Sequence, residues 1–62
     1  MKVRAIIKLI EADGWFRIMA KGGHRQFKHP IKRGRVTVPA QMNAELDKKT
    51  EKSILQQAGL AE

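Results

Sequence analysis

The chain has no cysteine, no long apolar run and, through its whole middle section, no acidic residue. Without cysteine it can form neither a disulfide framework nor a thiolate metal site, and it suits a reducing compartment. No stretch approaches the roughly 20 apolar residues that cross a bilayer. The start, Met1-Lys2-Val3-Arg4, lacks the apolar run and small-residue cleavage site of a secretion signal. The expected setting is the cytoplasm, with no membrane role. There are no internal repeats, linkers or low-complexity segments, and 62 residues make one domain. A chain of this size buries only about 60% of the surface its unfolded form exposes. With no staple, a partner or self-association would add to its small stability margin.

The missing acid is the most informative absence. Between Gly14 and Ala44 there is no Asp or Glu, yet Arg17, Lys21, Arg25, Lys28, Lys32, Arg33 and Arg35 all lie there. Elsewhere basic and acidic residues balance, so the formal charge of +7 originates in this section. Such a patch calls for an anionic partner: nucleic acid, an acidic protein or a membrane surface. A membrane-surface helix needs a basic face opposite a broad apolar one. Here the charge lies in a strand-like region, which favours nucleic acid and leaves an acidic protein as competitor for the same patch.

Val3, Ile6, Ile7 and Ile10 repeat at the spacing of one helical face. They predict a first helix over residues 3–13, ended by Gly14 in a left-handed conformation. From Trp15 to Ala20 the period becomes that of a strand, with Phe16 and Ile18 on the buried side and Trp15 over the helix end. Gly22-Gly23 signals a hairpin turn, after which a second strand runs from His24 to about His29. Pro30 removes a backbone donor and ends it. Arg35-Val36-Thr37-Val38 forms a third strand, stopped by Pro39. Residues 40–49 are irregular, with Met42 and Leu46 expected under the core. Thr50 is the expected N-cap of a second helix, with Glu51 facing the positive end of its dipole. Gly59 closes that helix and Leu60 folds back on its last turn. The expected fold is α+β in the order α-β-β-β-α, a three-stranded antiparallel sheet with both helices on one face.

Lys21-Gly22-Gly23-His24-Arg25-Gln26-Phe27-Lys28-His29-Pro30 holds both histidines of the chain. Phe27 is its one large apolar side chain and should face the core, which puts Arg25 and His29 on the core side. His24, Gln26 and Lys28 then face solvent. An imidazole titrates near neutrality and can take a proton from a ribose 2′-hydroxyl or give one to a leaving 5′-oxygen. Lys21, Arg25, Lys28 and Arg35 are candidates to hold phosphate oxygens. Gly22 and Gly23 permit close approach of a nucleic-acid backbone and offer N–H groups to phosphate. His29, just before Pro30, reads as structural. The two histidines point to opposite strand faces with no carboxylate near them in sequence, so no metal site is expected. A lone histidine beside glycines is more often a surface residue than a catalyst. The residues by themselves therefore leave two readings open, a ribonuclease using His24 and a non-catalytic RNA-binding module using the same patch.

The amphipathic helix ending in Gly14-Trp15, the Lys21 to Pro30 stretch, Arg35-Val36-Thr37-Val38-Pro39 and Ser53-Ile54-Leu55-Gln56-Gln57-Ala58-Gly59-Leu60 together resemble the HicA-type toxins, the YcfA-like mRNA interferases. The likeness covers nearly the whole chain. It implies a double-stranded-RNA-binding-domain-like fold and a toxin that cleaves messenger RNA without a metal or other cofactor. It also implies a HicB-type antitoxin that covers the catalytic histidine. That histidine follows a Gly-Ser pair in the family and corresponds to His24; here Gly23 stands where many members carry serine.

Overall fold

A computed structural model of the chain describes residues 1–18 and 24–60. Its elements are α1 (Val3–Ala12), β1 (Phe16–Ile18), β2 (His24–Lys28), β3 (Val36–Pro39) and α2 (Lys48–Gln57). The strands form one antiparallel sheet in the order β1-β2-β3, which makes β2 the centre of a meander. This is the expected α+β arrangement, and both helices contact β3. Among the described residues no helix is long and apolar enough to cross a membrane.

The stripe of α1 does what its spacing requires: Val3, Ile6, Ile7 and Ile10 are all buried. They meet Phe27, Val36 and Val38 from the inner side of the sheet, with Trp15, Leu46, Ile54 and Ala58 completing the core. Truncating Phe27 or Ile6 to alanine removes apolar contacts on every side and should cost about 3 kcal/mol. No side chain caps the start of α1. Instead, Val3 and Arg4 donate their N–H groups to the carbonyls of Ala44 and Met42, each at 3.0 Å, and Lys2 bridges Glu45. The irregular segment after β3 thus supplies acceptors for donors that a helix leaves without internal partners. At the far end, Gly14 takes φ +111° and the chain turns so that Trp15 N–H reaches Ile10 O at 3.1 Å.

Three expectations need correction. Asp47, not Thr50, caps α2: its carboxylate accepts the Thr50 N–H at 2.6 Å, which places Thr50 inside the first turn. A carboxylate is the stronger acceptor and adds a negative charge at the positive end of the dipole. Its folded pKa is accordingly held below the usual aspartate value by those Thr50 hydrogen bonds. Met42 is 38% exposed, and only Leu46 of the pair tucks into the core. The third correction matters most for function. Phe16 and Ile18 pair with Lys28 and Gln26, so they lie on the open face of the sheet, and Phe16 is 49% exposed.

Gly59, with φ +71°, ends α2, and the Leu60 N–H returns to Leu55 O at 2.8 Å as expected.

Candidate nucleic-acid interface

Directly paired residues of an antiparallel sheet project to the same side, and alternate residues to opposite sides. The observed registers therefore assign every side chain of the strands. On the open face, His24 lies opposite Pro39, and Gln26 lies between Ile18 and Thr37. Lys28 lies opposite Phe16. The face is thus built in rows: Phe16 and Lys28; then Ile18, Gln26 and Thr37; then His24 and Pro39. Arg35, which precedes β3, joins this face at the middle row, where its guanidinium donates to Gln26 Oε1 at 3.1 Å. His24, Lys28 and Arg35 are all exposed, and the rows contain no acidic residue.

The structure places three of the candidate residues, His24, Lys28 and Arg35, on one face of the sheet. Arg25 is not with them. It projects from the inner side, donates to Ala40 O at 3.4 Å, and has its Nε buried without a partner among the described residues. Lys21, Gly22 and Gly23, the candidate phosphate loop, lie outside the described residues.

Strand geometry also separates the groups on the shared face. His24 and Lys28 are four residues apart, which at about 3.3 Å per residue puts them roughly 13 Å apart. Lys28 is therefore too far away to exchange protons at a phosphodiester bound against His24. The Arg35 guanidinium reaches about halfway. Phe16, expected on the buried side, is the residue whose face a local reading of the sequence misplaces. The signal lay in the strand register, which no local pattern reports.

The second histidine has a different environment. The His29 ring is only 8% exposed and packs edge-on against Trp15, with ring centroids 5.2 Å apart. Its Nδ1 accepts the N–H groups of Ile31 and Lys32, each at 3.0 Å. Those bonds leave the proton on Nε2, which donates to Asp13 O at 2.8 Å. Lys32 completes the junction, with Nζ 2.5 Å from Asp13 Oδ2 and 3.0 Å from Ala58 O. One cation thereby serves the C-terminal ends of both helices, where the dipole favours positive charge. The Lys32 hydrogen bond holds the Asp13 carboxyl below its ordinary pKa. Among the described residues no three His, Cys, Asp or Glu side chains converge as a metal site would.

A small α+β domain of the double-stranded-RNA-binding-domain type, with a basic open sheet face carrying an exposed histidine, is the class these features define. The family model for the HicA toxin of bacterial toxin–antitoxin systems matches residues 3–60, and the chain belongs to that family. Among solved structures, it is similar to a chain of a toxin–antitoxin complex from Streptococcus pneumoniae. The two share 34% identity and a TM-score of 0.78 over 97% of this chain and 98% of that one. No curated protein matches it significantly.

Proposed function

We propose that this protein is a ribonuclease toxin that cleaves messenger RNA at the open face of its sheet, with His24 as the group that moves protons. The observation carrying this reading is the position of His24. It is an exposed imidazole on a face with Lys28 and Arg35 and without a carboxylate. A negatively charged backbone is attracted to such a face, and an imidazole is the side chain suited to proton transfer near neutrality. In the proposed reaction, His24 takes the proton of a ribose 2′-hydroxyl as that oxygen attacks the adjacent phosphorus. The bond to the 5′-oxygen breaks, water supplies the leaving group's proton, and a 2′,3′-cyclic phosphate remains. Reliance on water for the second transfer suits a slow enzyme, which is sufficient for a toxin. No metal takes part in this scheme, and the substrate places the protein in the cytoplasm.

The similar pneumococcal chain was solved in a toxin–antitoxin complex. By that likeness this protein has an antitoxin partner; the proposal adds that the partner is of the HicB type and neutralises the protein by covering the face that carries His24.

Incubation of the purified protein with end-labelled RNA in EDTA tests the reading. Cleavage that leaves cyclic phosphate ends supports it. Salt-sensitive retention of intact RNA would replace it with the non-catalytic binding module.

A further inference from the structure

The row farthest from His24 joins an aromatic ring to a cation, with a second cation beside it. Phe16 is about half exposed and lies opposite Lys28, and the Arg35 guanidinium reaches the neighbouring row at Gln26. Isolated exposed apolar side chains are ordinary on protein surfaces. This one differs in its company, because Lys28 and Arg35 share its face and no acid lies between Gly14 and Ala44. An aromatic ring beside cations on an open sheet is the combination that holds unpaired nucleic acid, the ring stacking a base and the cations following the backbone. Gln26 adds to it. Its Oε1 accepts from Arg35, which orients the amide between the aromatic row and His24 and leaves its N–H groups to face a base edge.

We propose that Phe16 forms a base-stacking subsite for single-stranded RNA, with Lys28 and Arg35 holding the flanking phosphates. A strand seated there would extend across the Gln26 row and bring a phosphodiester, roughly 13 Å away, to His24. Phe16 is then a positioning residue. The proposal rests on RNA being the ligand of this face and adds that the RNA is unpaired and is held by a stacked base.

Binding of a fluorescent 2′-O-methyl RNA oligonucleotide, which cannot be cleaved through its 2′-oxygen, tests this with the whole chain. Phe16→Ala should weaken single-strand binding about tenfold, within the range of a lost base stack, with Phe16→Trp restoring it. Binding of the same oligonucleotide as a duplex should change much less. In Phe16→Trp, the new indole should be quenched on addition of the single strand, whereas the buried Trp15 should not respond in the parent protein. Equal single-strand affinities for Phe16→Ala and parent, with RNA cleavage intact, would overturn the subsite and leave the ribonuclease reading standing. Loss of antitoxin binding in Phe16→Ala at unchanged RNA affinity would also overturn it, making the row a protein interface. A parent protein that neither binds nor cleaves RNA would overturn both readings.

Discussion

His24 and His29 stand five residues apart on one stretch of chain and are opposites in every structural respect. His29 has both ring nitrogens committed, Nδ1 to the Ile31 and Lys32 amides and Nε2 to the Asp13 carbonyl, with Trp15 against its edge. His24 is exposed and faces Pro39, whose side chain offers neither donor nor acceptor. Both nitrogens of the His29 imidazole hold the backbone in place, whereas the His24 ring stands on the open face. The odd separation on an alternating strand produces this division, and the hydrogen bonds enforce it.

The comparison is sharpened first by removing each ring. His24→Ala should abolish growth arrest on expression, a loss of at least about a hundredfold in activity. Its thermal midpoint should stay near that of the parent, since exposed substitutions seldom move stability by more than about 0.5 kcal/mol. His29→Ala should do the reverse. Losing its three hydrogen bonds and the Trp15 contact should cost about 2 kcal/mol and lower the midpoint by on the order of 10 °C. Activity per folded molecule should survive. Gly14→Ala probes the same junction without removing a ring. Its new Cβ would lie 2.8 Å from His29 Nε2 on a backbone at φ +111°, and the expected loss is about 1–2 kcal/mol, read by denaturant titration.

The two faces of the sheet can be compared through their arginines. Arg35→Gln should weaken RNA binding and reduce the slope of log affinity against log salt by about 1. Arg25→Gln should leave that slope nearly unchanged, because its guanidinium is turned to the Ala40 carbonyl on the inner side. The smallest effect concerns pH. Asp13 is depressed below its ordinary 3.8 by Lys32. Its contribution to stability is therefore complete above that value and fades as pH falls through the lower folded value. Asp13→Asn should be less stable than the parent near neutrality, and the gap should close in acid denaturation below about pH 4.

Much of this arrangement could be read from the sequence. The α1 stripe, the inward Phe27, the outward His24 and the structural character of His29 all follow from short periods that a single segment carries. What could not be read depends on partners distant in the chain. A two-residue turn at Gly22-Gly23 would pair Lys21 with His24 and carry Phe16 to a position opposite His29, inside the core. The observed register, Phe16 with Lys28, differs by one residue. A slip of that size moves every side chain of a strand to the other face, and it turned an expected core residue into part of the open face. Apolar side chains at 15, 16 and 18 occupy both parities, so the segment itself could not decide. The Asp47 cap was hidden because Lys48, Lys49 and Thr50 carry no apolar period to mark the first turn. The capping of α1 by residues 42 and 44 is a backbone interaction and leaves no side-chain signature. Charge counted along the chain groups Arg25 with the other cations, whereas its face is fixed by its standing two residues from Phe27.

On the proposed reading, His24 performs the chemistry while His29 holds the structure. The initial rate of RNA cleavage by purified His24→Ala, taken at a temperature where its melting curve shows it fully folded, tests this most directly. No cleavage above the uncatalysed background is the predicted result. Cleavage at the parent rate by that folded variant would contradict the account.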